Sequence, residues 1–152
     1  MTLVAAVFRT LFLFLTGRVK FDRTLKGKTL TMPDGAQFTV FRRVEIQTGQ
    51  PEPAAWFWVR FKPARMGVKA NIVFSLLPMM VFMGFKGFRS KYWGVQRDTG
   101  LCQGLYEWQT VADAQAYAQS IAMRFMSNRS EPGSVEWGVV NKGEESLGIQ
   151  IR

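Results

Sequence analysis

The chain contains no histidine, a single cysteine, and only 11 acidic residues against 20 basic ones. Without an imidazole there is no His-ligated zinc, no proximal-His heme and no Ser-His or Cys-His catalytic pair, because each needs a group that ligates or titrates near neutrality. Cys102 alone cannot close an internal disulfide or build a thiolate cluster, and it fits a reducing compartment such as the cytoplasm. No pair of acids has the close spacing of a glycosidase or metal site, and Gly84-Phe-Lys-Gly87 lacks the length and the Ser or Thr of a phosphate loop. Neither a metal nor a cofactor is expected. The longest apolar run, Leu3 to Leu15, broken by Arg9 and Thr10, falls short of the ~20 residues that span a bilayer. It also lacks the leading charge and the small-residue cleavage site of a signal peptide.

What is present suffices for one folded core. Of 152 residues, 47% are apolar and 14% aromatic, enough buried surface to offset the entropy of ordering the chain. The charge is uneven: residues 1–91 carry fifteen Lys or Arg against four acids, a balance of +11, and residues 92–152 carry −2. Such asymmetry suggests either an anionic partner for the first part, a phospholipid surface or a polyanion, or a basic excess that does no more than keep the protein soluble. No recognition helix or RNA-binding strand motif accompanies it, so nothing points to nucleic acid. As a helix, the opening run puts Thr2, Arg9 and Thr16 on one narrow stripe and leaves most of its circumference apolar. It is expected either to lie on an anionic membrane surface, anchored by Arg18, Lys20, Arg23, Lys26 and Lys28, or to be buried against this or another subunit.

From Lys28 to Ile46 the hydrophobic period becomes two. Residues 29–32, a turn at Pro33-Asp34-Gly35 and residues 37–46 read as a hairpin. Gln50-Pro-Glu-Pro53 is a stiff connection. The expected organisation is an N-terminal extension over residues 1–53, a core domain over 54–141 and a C-terminal tail over 142–152. Within the core, residues 56–62 read as a strand, 68–77 as a helix ended or kinked by Pro78, and 87–96 and 101–109 as a hairpin around Arg97-Asp98-Thr99-Gly100. A helix capped by Thr110-Val-Ala-Asp113 continues through Ala114, Tyr117, Ala118, Ile121 and Phe125, and residues 134–140 form another strand. Leu147 to Arg152 alternates like a terminal strand. The order βαββαβ predicts an α+β, ferredoxin-like fold: an antiparallel sheet with both helices on one face. The other face would be left for a second copy, making a homodimer.

In an unbulged 87–109 hairpin, Phe88, Ser90, Tyr92 and Gly94 share a face with Leu101, Gln103, Leu105 and Glu107. Arg89, Lys91, Trp93 and Val95 share the other with Cys102, Gly104, Tyr106 and Trp108. The first set resembles a helix-covered layer and the second a site on the open face, extended by Trp58 and Arg60. Cations interleaved with Trp and Tyr suit a planar, conjugated, anionic ligand; the competing assignment makes these rings a dimer core with cations at its rim. Glu107 is a base of raised pKa, or is exposed, or pairs with a neighbouring Lys or Arg. Asn71, near the start of the first core helix, either orients a substrate or caps locally.

The runs Phe85-Lys-Gly-Phe-Arg-Ser-Lys-Tyr-Trp93 and Gly104-Leu-Tyr-Glu-Trp108, followed by residues 112–117, resemble the dimeric α/β-barrel superfamily over roughly residues 54–141. The resemblance is to its small monooxygenase-like members related to antibiotic-biosynthesis monooxygenases. It implies a homodimer with a pocket between sheet and helices, and cofactor-independent oxygenation of an electron-rich phenolic or polyketide-like aromatic. In that expectation Arg89 or Lys91 stabilises a substrate enolate or phenolate, Trp58, Arg60, Trp93, Tyr106 and Trp108 bind it, and Asn71 orients it. The alternative is a non-catalytic dimer that holds a lipid-like or aromatic ligand and attaches to the cytoplasmic membrane through the N-terminal helix.

Overall fold

A computed structural model describes residues 2–144 and 148–152. The chain begins with helix α1 (Leu3–Leu15), then strands β1 (Val19–Phe21), β2 (Thr29–Thr31) and β3 (Gln37–Ile46). The expected βαββαβ unit follows: β4 (Ala55–Phe61), α2 (Val68–Phe74) with α3 (Leu76–Phe82), β5 (Phe88–Val95), β6 (Cys102–Trp108), α4 (Val111–Ala118) with α5 (Ile121–Asn128), and β7 (Glu136–Asn141). Strand β8 (Gln150–Ile151) closes the chain. The strands β7-β4-β6-β5 lie side by side, all pairs antiparallel, in the ferredoxin-like α+β arrangement.

Both crossings are broken helices rather than single ones. Pro78 has no N–H to give to the Phe74 carbonyl and its ring crowds that group, so α2 stops one turn earlier than expected and α3 restarts beyond Ser75. The second crossing, expected as one helix from Thr110, divides at Ser120, whose hydroxyl accepts from the Met123 N–H and caps α5. Thr110 caps α4 as expected, accepting from the Asp113 N–H at 3.0 Å.

Residues paired across antiparallel strands share a face. Phe57 pairs with Tyr106 and Ala55 with Trp108, while Lys91 also pairs with Tyr106 and Trp93 with Gly104. Phe57, Val59, Lys91, Trp93, Tyr106 and Trp108 therefore share one side, and it is the side under the helices, where the rings pack with Phe82, Ala114 and Tyr117. This reverses the expected assignment of faces. Trp56, Trp58, Arg60, Tyr92 and Leu105 take the opposite side. The β5–β6 hairpin is bulged at Arg89, so Phe88 pairs with Trp108 and turns inward.

The N-terminal hairpin extends the same sheet. β3 pairs with β5, β2 with β3 and β8, and β1 with the far end of β3. A bulge at Phe41 reverses the alternation of β3: Phe38 and Val40 face away from the helices, but Val44 and Ile46 face them. The sheet curls, so Leu30, Met32, Phe38 and Val40 form a second core with Tyr92 and Leu105. Arg60 fastens the curl by a bidentate pair with Asp34 in the hairpin turn, 2.6 and 3.2 Å away. Part of the face expected to await a second copy is thus filled by the chain itself. Of the expected terminal strand, Gln150 and Ile151 pair with β2, and Leu147 lies outside the described residues.

Helix α1 is capped by Thr2 and docks through one stripe, Ala6, Thr10 and Leu13, all buried. Contact with the end of α3 is backbone to backbone: a Cβ on Gly84 would stand 1.8 Å from the Ala6 carbonyl oxygen. Gly84→Ala must therefore lift α1 away. The expected result is a loss of about 1–3 kcal/mol, read as a lower Tm, with faster proteolysis inside residues 3–15. An unchanged Tm would show that this contact does not hold the helix.

Candidate functional site

Between the helix-facing side of the sheet and the α2–α3 and α4–α5 crossings lies a narrow pocket, open to solvent on one side. Its floor is Lys91, Trp93, Gly104 and Tyr106; its walls include Asn71, Ser75 and Phe82 from the first crossing and Tyr117 and Met126 from the second. Gly104 keeps the floor open, since a Cβ there would come within 2.9 Å of the Tyr106 ring and 3.5 Å of the Lys91 side chain. Phe74, Phe125 and Arg129 form one edge, with the Arg129 guanidinium 4.3 Å from the Phe74 ring centre. Phe125 and Arg129 are exposed, which places the mouth beside α5.

Lys91 is the chemical centre of this pocket. Its Nζ donates to the Tyr106 hydroxyl at 2.6 Å and lies 4.2–4.4 Å from the ring centres of Phe82, Trp93 and Tyr106. Tyr117 donates to the same Tyr106 oxygen at 3.2 Å. The rings attract an ammonium, but among the described residues no carboxylate forms an ion pair with it. Burial therefore governs, and with repulsion from Arg42 it holds Lys91 well below the usual lysine range. Burial likewise raises Tyr106 and Tyr117. The Cys102 thiol, which accepts a hydrogen bond from Asn71 Nδ2 at 3.2 Å, is pushed up to about 12, mainly by burial. It is a packed thiol, not a thiolate nucleophile. Burial thus favours the unprotonated amine of Lys91.

The structure brings Asn71, Lys91, Trp93 and Tyr106 together and separates the other candidates from them. Trp108 lies in the core behind the pocket, 4.9 Å from Tyr117 between ring centres, and does not line it. Trp58 and Arg60 are on the opposite face, Arg60 held by Asp34 and Gln103. Arg89, displaced by its bulge, donates to the Pro51 carbonyl and to Gln109 outside the pocket. Glu107 accepts from Ser90 and pairs with Lys142, so it is a partner rather than a base. Two contributors escape sequence reasoning. Tyr117 reads there only as a helical core position, and Arg42 turns inward only because of the Phe41 bulge, reaching Ser75 Oγ at 2.6 Å and the Trp93 ring at 5.3 Å.

A buried lysine held below its unfolded range makes the unfolded state bind more protons over the interval between the two. Stability then rises with pH from the depressed folded value toward the unfolded one, near 10.4, and is lost as pH falls. Lys91→Met is expected to remove that slope and raise the Tm near neutrality by about 4 °C. Thermal melts between about pH 7 and pH 10 check it, and parallel profiles for both proteins would show Lys91 to be charged in the fold.

No protein-family model matches the chain, and no curated protein does. Solved structures do match. A ferredoxin-fold protein related to antibiotic biosynthesis monooxygenases, from Listeria monocytogenes, superposes with a TM-score of 0.54 at 9% identity, over 69% of this chain and 63% of that one. A monooxygenase-like protein from Listeria innocua gives 0.56 at 10% identity, over 74% and 67%. A heme-degrading enzyme from Listeria monocytogenes gives 0.55 at 9% identity, over 81% and 96%. The chain thus spans less than two thirds of the first of these proteins and nearly all of the third. At such identities the likeness is one of architecture: the chain has the ferredoxin-like fold of proteins related to antibiotic-biosynthesis monooxygenases.

Proposed function

We propose that the chain is a cofactor-independent monooxygenase-like enzyme acting on an aromatic or polyketide-like small molecule. The observation that carries this reading is the Lys91 amine buried on the floor of an aromatic pocket, hydrogen-bonded to Tyr106 and, among the described residues, without a carboxylate partner. A phenol or an activated methylene entering beside Trp93 gives its proton to Lys91 Nζ. The resulting ammonium stays paired with the substrate anion in a site where water does not screen them. Arg42, which repels that ammonium, attracts the anion. The electron-rich anion then reduces dioxygen itself. For a methylene flanked by rings, one methylene and one dioxygen give one ketone and one water. Both C–H bonds break and a C=O bond forms, with one oxygen atom kept and the other leaving with the two hydrogens as water. Asn71 and Tyr117 fix the substrate's orientation. The absence of histidine from the chain leaves a heme without an imidazole ligand, which favours chemistry carried by the substrate.

In the same reading the chain acts as a homodimer. The half-buried Trp56 and Trp58 on the outer face of β4 are what a second copy would cover. Light scattering is expected to give twice the chain mass of 17.3 kDa, and a single chain's mass at micromolar concentration would remove this part of the proposal.

Oxygen uptake with a panel of phenols and anthrone-type methylenes tests the chemistry. Lys91→Met is expected to lower turnover by about 10²–10⁴-fold. Arg89→Ala, outside the pocket, is expected to leave it unchanged. Turnover that survives Lys91→Met would overturn the assigned role, and tight binding of the panel without oxygen uptake would favour a ligand-holding protein instead.

A further inference from the structure

The outer surface of the helical layer is apolar to a degree its packing does not require. On α1 the side opposite the docking stripe exposes Phe8 at 67%, Phe12 at 56% and Leu15 at 88%. Val73 and Leu77 of the first crossing and Ile121 and Phe125 of α5 are likewise exposed. These patches adjoin: α1 lies on α3, and Leu3 lines one groove with Ile121, Lys86 and Arg124. The stretches that build this layer, residues 2–18, 63–87 and 109–129, carry seven Lys or Arg and one acid, Asp113. That is +6 of the chain's +9, so strands and turns, with thirteen cations and ten acids, hold only +3.

We infer that this helical layer docks on an anionic lipid surface, with α1, the first crossing and α5 set into the headgroup region. An amphipathic surface binds a bilayer by burying its apolar side chains while cations at its margin meet acidic headgroups, and both requirements coincide here. Two copies joined through this face would oppose like charges, and a hydrophilic polyanion would leave the Phe and Leu side chains wet. Among the described residues no helix is long and apolar enough to cross a membrane, so the contact is with the surface. The exposed Phe125 and Arg129 belong both to this layer and to the pocket mouth. On the pocket reading above, a lipid-dissolved ligand would reach Lys91 directly from the bilayer; the docking itself does not depend on that reading.

The test is flotation of the full chain with phosphatidylcholine vesicles and with vesicles that also contain phosphatidylglycerol. The protein is expected to float with the anionic vesicles, about tenfold less with the neutral ones, and to be released by salt. Phe8→Ser/Phe12→Ser/Leu15→Ser should abolish flotation, and Lys86→Glu/Arg124→Glu, which alters only exposed positions, should weaken it about tenfold. Circular dichroism checks that each variant is folded. Failure of the unaltered chain to float with anionic vesicles overturns the inference, as does flotation unaffected by both variants. So does a dimer that dissociates in the serine variant, because a second copy would then cover this face. Oxygen uptake, measured without vesicles, is independent of all these outcomes.

Discussion

Tyr106 pairs with Phe57 on one neighbouring strand and with Lys91 on the other, and that shared register fixes what the molecule can do. Opposed residues in an antiparallel sheet must point the same way, so an amine is carried under the helices with the largest rings of the domain. A one-residue slip would put Tyr92 and Leu105 there and carry Lys91 to the opposite face, away from the pocket rings. Register, bulge position and glycine placement are therefore the means by which a common basic residue is buried among rings. Gly104 leaves room for the Lys91 and Tyr106 side chains on one face, and Gly94 for Phe38 on the other, each at a place where a Cβ would collide.

Charge and apolarity are divided between the two layers of the fold. Seen along the chain, the excess of cations belongs to the first 91 residues. In three dimensions it belongs to the helices, because the second crossing contributes Arg124 and Arg129 to the same layer. The sheet pairs its charges instead: Arg43 with Asp22 and Glu45, Arg60 with Asp34, Lys142 with Glu107. Those pairs are within or beside strands, and they bind the N-terminal hairpin and the edge strands into one sheet. Helix cations find no such partners among the described residues, and the field they leave points outward from the same side as the pocket mouth.

The sequence told much about the elements and less about their faces. Periodicity located α1, the β2–β3 hairpin, and the strands and crossings of the βαββαβ unit, because burial imposes a period of two or of 3.6 on each. The Thr110 cap and the 97–100 turn were legible from local chemistry. Which side of the sheet the helices cover was not, since alternation separates the two faces without saying which is inner. Nor were the bulges at Phe41 and Arg89, which depend on how long strands meet rather than on any residue preference. The consequences fell on particular side chains. Arg89 left the expected site, Arg42 came to lie beside it against Ser75 and Trp93, and Trp58 and Arg60 are on the far face. Lys91, Trp93 and Tyr106 were grouped correctly because their mutual register survives whichever face is inner.

The same core shows where stability is given up. A buried amine without a carboxylate partner costs more than a hydrocarbon of equal length would, and among the described residues the nearby Trp108 Nε1 is likewise buried with no hydrogen-bond partner. Tyr106 and Tyr117 already bond to each other, so packing and polar satisfaction of the rings do not call for the amine. On the proposed function, that cost is recovered when something acidic enters: the proton would move to Lys91, and the ammonium would gain the counter-ion that the described residues do not supply. On that proposal the pocket would hold an acidic aromatic more tightly than a neutral one of the same shape. The distinction comes from the unpaired amine rather than from the shape of the walls.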